Sequence, residues 1–147
     1  LGGYGLCIVF FAATGREVQS VLNPELPERD GTFGQYIKGA IDNYHISYYA
    51  NAEHQPDRQQ ANLRKNHGFH LVHEGEEGIP TNSTATHVIT LAKDGNHIRL
   101  WVDDRIVIDW VDRGEIGGPP HEDGYIGFRQ MRWTEFAYRN LKVWRLP

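Results

Sequence analysis

Short apolar or alternating runs, separated by turn residues, make up most of this chain. Tyr4 to Thr14 is β-branched and aromatic without alternation and stops at Gly15, the pattern of a strand covered on both faces. Asn43 to Ala50 alternates instead. Side chains of a strand point to opposite sides in turn, so Tyr44, Ile46 and Tyr48 share one face and His45, Ser47 and Tyr49 the other. Ile46 assigns the first set to the core. The same logic in Ala61 to Asn66 turns Leu63 inward and Asn62 and Arg64 outward. In Phe69 to His73 it turns Phe69 and Leu71 inward, leaving His70 and Val72 outside.

Beyond an acidic loop from Glu74 to Ala85 the pattern becomes a meander. His87 to Lys93 and His97 to Val102 flank Asp94-Gly95-Asn96, a strong hairpin signal. Asp103-Asp104 then leads into Arg105 to Val111, and Tyr125 to Gln130 and Phe136 to Leu146 read as two closing strands. Helical periodicity with caps is absent apart from a turn near Ser20 to Leu22. The long stretch from Arg16 to Gly39, broken by Pro24, Pro27, Gly31 and Gly34, is a loop of the kind that caps a surface or carries function. Regularly spaced short strands predict an all-β fold, an antiparallel β-sandwich or jelly roll.

At 147 residues the chain is the size of one domain with a sizeable core. Its 39% hydrophobic content and four tryptophans exclude a disordered chain. A formal net charge of -4 and a pI near 6.0, with charges interspersed, argue against a nucleic-acid partner. The longest apolar run, Leu6 to Ala13, is far short of a membrane-spanning helix. Cys7 stands alone, which excludes an intrachain disulfide and favours a reducing, cytoplasmic setting.

The order GLCIVFFAATG, HISYY, NLRKNHGFHL, DDRIVIDW, GYIGFRQM and YRNLKVWRL resembles the YesU-like family of bacterial proteins along essentially the whole chain. The resemblance implies a concanavalin A-like jelly roll over residues 1–147. It also implies a setting among genes for pectin and rhamnogalacturonan use. The family's further N-terminal strands have no counterpart ahead of GLCIVFF, so the domain is expected to be truncated there, with exposed strand edges or a second copy covering them.

Candidate chemistry gathers on the polar faces of three successive strands. A polysaccharide lyase needs a base tuned near working pH and donors that neutralise the developing charge. His45 or His70 supplies the base, Tyr49 the acid, and Asn62 with Arg64 a carboxylate clamp, Ser47 and Arg129 adding contacts on the same faces. A glycoside hydrolase would instead need two carboxylates about 5 to 10 Å apart, and no strand carries them at suitable spacing. Exposed aromatics (Tyr48, Tyr49, Trp101, Trp110, Trp133, Trp144) suit a third reading, a non-catalytic glycan-binding module. The expected partner is therefore an acidic oligo- or polysaccharide. His67, His70 and His73, with His54, form a poor zinc set. No cofactor is called for, although Asp103, Asp104 and Asp123 are the carboxylates that could hold a structural calcium. Histidines on strands also commonly serve only local hydrogen bonds, and Arg64-Lys65 reads equally well as a solvated face.

Overall fold

The computed structural model describes residues 5–18, 20–50, 60–132 and 134–146. Among the described residues there are eight strands: β1 (Leu6–Gly15), β2 (Ile41–Ala50), β3 (Gln60–Asn66), β4 (His70–Glu77), β5 (Ile89–Asp94), β6 (His97–Val102), β7 (Arg105–Val111) and β8 (Tyr125–Gln130). A five-stranded antiparallel sheet in the order β4-β3-β2-β1-β8 packs on a three-stranded meander, β5-β6-β7. The fold is an all-β antiparallel sandwich. The only described helix, α1 (Gly34–Ile37), is a single turn within the long loop, and no helix of the described residues is long and apolar enough to cross a membrane.

The core lies where the two sheets face each other. Cross-strand pairing sets Val9 beside Ile46 and Ile46 beside Leu63, and this row meets Ile98, Leu100 and Ile108 of the second sheet; all of these are buried. Truncating any one of the wholly buried aliphatics to alanine would cost about 2–5 kcal/mol. The sheets come closest at β4 and β7. A Cβ on Gly75 would collide with the Val107 carbonyl, so the sequence needs a residue without a side chain at that point.

A buried ion pair, Lys65 with Asp112, sits in this core. Lys65, expected on a solvated face, is 0% exposed, because alternation within β3 places it on the same side as Leu63. Its Nζ lies 2.7 Å from Asp112 Oδ2 and donates to the Gly118 carbonyl at 2.5 Å. Tyr44 Oη donates to the same carboxylate oxygen at 2.5 Å and accepts the backbone N–H of His121 at 2.9 Å. The 112–121 loop is thereby fastened to β2 and β3. Burial by itself would raise the Asp112 carboxyl, but the hydrogen bonds from Lys65, Tyr44 and Gly114 N–H outweigh it and hold the group below the ordinary carboxylate value. Burial pushes His121 down as well, despite the bond between its Nε2 and the Asn66 carbonyl at 2.6 Å.

The strand expected over Phe136 to Leu146 does not form. Residues 134–146 run over the sandwich without a ladder, and Leu141, Val143, Trp144 (75% exposed) and Leu146 face solvent. Apolar spacing alone cannot make a strand without a neighbouring edge to bond. The segment is held instead at its start, where Gln130 bonds both the N–H and the carbonyl of Phe136 and Tyr138 Oη meets Tyr48 Oη at 2.7 Å. Tyr138 also borders Cys7, whose thiol burial pushes up to about 12.

Replacing Lys65 with methionine leaves the Asp112 carboxylate uncompensated and should lower stability by about 3–5 kcal/mol in urea unfolding. Lys65→Met with Asp112→Leu should recover most of that loss. The depressed Asp112 carboxyl adds stability that is complete above the ordinary carboxylate value of about 3.9 and is lost as pH falls through its lower folded value. The wild type should therefore lose stability on acidification below about pH 4, and the double variant should show a shallower slope over the same window.

Candidate functional site

Register decides which candidate residues meet. His45 pairs with Arg64 and Ser47 with Asn62, so these four share the side of the five-stranded sheet that faces away from the meander. On β1, Ile8 stands opposite Ser47, and on β8 Arg129 stands opposite Ile8. Arg129, Ile8, Ser47 and Asn62 thus form one cross-strand row on this outer face. The adjacent row runs Gly127, Phe10, His45, Arg64 and Leu71.

Tyr49 and His70 are not on it. A bulge shifts the β1–β2 register between Cys7 and Ile8, so that Cys7 faces Tyr49 while Ile8 faces Ser47. The extra residue turns Tyr49 to the same side as Tyr48. There it is 5% exposed, packs on Phe136 at 4.9 Å and donates from its hydroxyl to the Thr81 carbonyl at 3.2 Å. His70 pairs with Lys65 and therefore lies on the core side, at an exposed rim. The cause is the turn before β4, where Gly68 and Phe69 both take positive φ and reset the alternation. Phe69 and Leu71, expected inside, consequently lie outside with Arg64. The Arg64 guanidinium sits 4.0 Å over the Phe69 ring, and Arg64 Nη1 donates to the Phe69 carbonyl.

The centre of the outer face is roofed. The 16–39 loop lays Phe33 within 6.1 Å of the His45 ring and 5.8 Å of Phe69, with Phe10 and Phe69 on His45's other sides at 5.1 and 5.7 Å. His45 is 2% exposed. A chain of amides then fixes its ring. Asn43 Nδ2 donates to the Tyr36 carbonyl, which can only accept, so Asn43 Oδ1 faces Asn66 and accepts from its Nδ2 at 2.7 Å. The same Nδ2 reaches His45 Nδ1 at 2.8 Å, which must accept; the neutral ring carries its proton on Nε2. Among the described residues Asn66 Oδ1 is buried without a hydrogen-bond partner, as is Asn62 Oδ1.

The face opens beside β8. A pocket of about 210 Å³ lies between the ends of β1 and β8 and the underside of the 16–39 loop, bounded by Phe10, Tyr36, Tyr125, Gly127, Arg29 and Arg129. Arg129 Nη1 donates to the Gly31 carbonyl at 2.8 Å, and the guanidinium lies over Phe33 and Tyr36 at 5.3 and 5.6 Å. Arg29 Nη2 donates to the Val21 carbonyl at 2.5 Å, and Tyr125 Oη meets Ser20 Oγ at 3.2 Å. Arg29 and Tyr36 carried no motif in the sequence, and only the length of the loop pointed towards them; Tyr125 lies within GYIGFRQM but was not singled out.

A shallower hollow at the opposite end is bordered by Pro80, His87, Asp103, Asp104 and Arg105. The Asp103 carboxylate is engaged there by His87 and by Val88 N–H, while Asp123 pairs with Arg145. Among the described residues no group of three or more His, Cys, Asp or Glu is arranged to hold a metal. His54 and Trp133 lie outside the described residues.

Residues 2–143 match the family described as Domain of unknown function, DUF1961. This chain belongs to that family. It is 35% identical over 143 residues to the uncharacterized protein YesU of Bacillus subtilis (strain 168), a match that covers 95% of this chain and 64% of that protein. It also superposes on a Bacillus subtilis crystal structure described as a protein of unknown function with galectin-like fold, at TM-score 0.81 and 32% identity, over 90% of this chain and 61% of the other. The chain thus spans a little under two thirds of the relatives it matches. The DUF1961 sandwich seen here is galectin-like.

If the amide chain serves to hold His45 in place, His45→Leu should leave the Asn66 amide short of an acceptor and cost about 1–3 kcal/mol. Thermal unfolding of the variant checks this, and a stability equal to wild type would contradict it.

Proposed function

We propose that this chain is a glycan-binding module that holds sugar on the outer face of its five-stranded sheet, at the gap between β8 and the 16–39 loop. The observation that carries this reading is the pocket on that face of a galectin-like sandwich, where aromatic rings and hydrogen-bond donors border one concavity. Sugars are recognised by that combination, with ring faces packing on aromatics and fixed donors meeting hydroxyls. Tyr125 is 45% exposed at the rim and gives a flat surface without needing to move.

Binding is favoured over elimination by the placement of the acid and base candidates. A lyase needs both groups on the side where the substrate lies. His45 is enclosed by Phe10, Phe33 and Phe69, and Tyr49 and His70 point to the other side of the sheet. Acidic plant polysaccharide fragments of the rhamnogalacturonan type, suggested by the family resemblance, are the first ligands to try.

The test is calorimetric titration with neutral and acidic oligosaccharides, alongside absorbance monitoring for unsaturated products. Saturable binding without product formation is expected, and Tyr125→Ala should weaken it about tenfold, roughly 1.4 kcal/mol. Absence of binding at millimolar sugar, or steady release of unsaturated product, would defeat the proposal.

A further inference from the structure

Two guanidinium groups border the β8 pocket, and neither forms an ion pair among the described residues. The ion pairs among the described residues involve Arg16, Lys65, His87, His97 and Arg145; Arg29 and Arg129 take part in none. Of the carboxylates nearby in the chain, Glu25 and Glu28 of the same loop form no ion pair among the described residues, and two others are engaged elsewhere. Asp42 faces Arg16 at 3.8 Å, and Asp30 accepts the Thr32 N–H within its own turn. A guanidinium has five N–H donors. Among the described residues Arg29 spends one, on the Val21 carbonyl, and Arg129 spends two, on the Gly31 carbonyl and the Met131 sulfur.

Those few bonds have a second effect. They tie each arginine to carbonyls of the loop, and the Phe33 and Tyr36 rings support the Arg129 plane. The positive groups are therefore held in place before any ligand arrives, which lowers the ordering cost of binding. Both are half-buried, so they act through a lower dielectric than they would in open water. An uncharged sugar would leave both charges uncompensated.

We propose that the pocket selects a sugar residue bearing a carboxylate, with Arg29 and Arg129 as the groups that bind it. This rests on the glycan-binding reading and adds the charge of the ligand. A carboxylate suits the planar fork of arginine, which can offer it two parallel N–H groups. The volume of about 210 Å³ is smaller than the roughly 300 Å³ at which drug-sized sites begin, so it takes a single ring with the neighbouring sugars outside. Arg64, the arginine singled out from sequence, stands over Phe69 in the adjacent row and does not border this pocket.

The experiment compares a uronate disaccharide, its methyl ester and the corresponding neutral disaccharide by calorimetry at two ionic strengths. The acid should bind at least tenfold tighter than the ester, and the advantage should shrink as salt rises. In Arg29→Gln, the acid-to-ester preference should collapse to within about twofold of unity, while the unfolding midpoint confirms that the variant is folded. Arg129→Lys supplies a second test, since it keeps the charge and removes the fork, and should lose most of the preference. Equal affinity for acid and ester in the wild type would overturn this inference and leave the glycan-binding reading standing. If none of the three sugars binds, both fall.

Discussion

The sandwich is organised around an ammonium and a carboxylate enclosed in an apolar interior. Lys65 and Asp112 have exchanged water for each other, for the Tyr44 hydroxyl and for the Gly118 carbonyl. An unpaired charge at either position would be far more costly than the pair, so the arrangement admits essentially one register for β3. With Lys65 turned inward, Asn62, Arg64 and Asn66 must turn outward. The polar character of the outer face follows from a contact on the opposite side of the sheet. The pair also draws the 112–121 loop against β2, which sets the path by which the chain enters β8.

The outer face is divided into a closed centre and an open margin. Over β2 and β3, aromatic rings from the 16–39 loop and from the turn before β4 meet above His45, and the amides below are bonded in a fixed sequence. Over β1 and β8 the same loop stands away from the sheet, tied to it by Arg129 and Tyr125 and braced within itself by Arg29. One element thus seals one half and shapes the other. His45, prominent in the sequence, is enclosed under the closed half, while the pocket at the open half is bordered by Arg29 of the loop and by Tyr125 and Arg129 of β8.

Much of the architecture could be read from the chain. Eight of the runs picked out by alternation or apolar content became strands because each had a partner edge within reach, and the hairpin at Asp94-Gly95-Asn96 formed where its turn residues demanded. What could not be read was anything that depends on a single inserted or inverted residue. Period-two reasoning carries a face assignment along a strand until a bulge interrupts it, as at Tyr48, or until positive φ resets it, as at Gly68 and Phe69. Tyr49 and His70 were displaced from the expected face by those two irregularities. Lys65 was misplaced for another reason: alternation from Leu63 already turned it inward, but nothing local announces that a buried charge will find its counterpart dozens of residues away. The final run, 136–146, shows the converse: suitable composition that forms no ladder with a neighbour.

The position of β8 in the sheet has a bearing on how the molecule assembles. β2, β3 and β4 are successive antiparallel neighbours, as are β5, β6 and β7, so both groups can form from nearby stretches of chain. β1 and β8 join residues from nearly opposite ends, Cys7 meeting Gln130, and contacts of such wide separation are slow to close. The walls of the pocket beside β8 therefore come together only when that late union is made. Ligand held there would act as a clasp on the slowest seam of the protein, and occupancy would report that folding had run to completion.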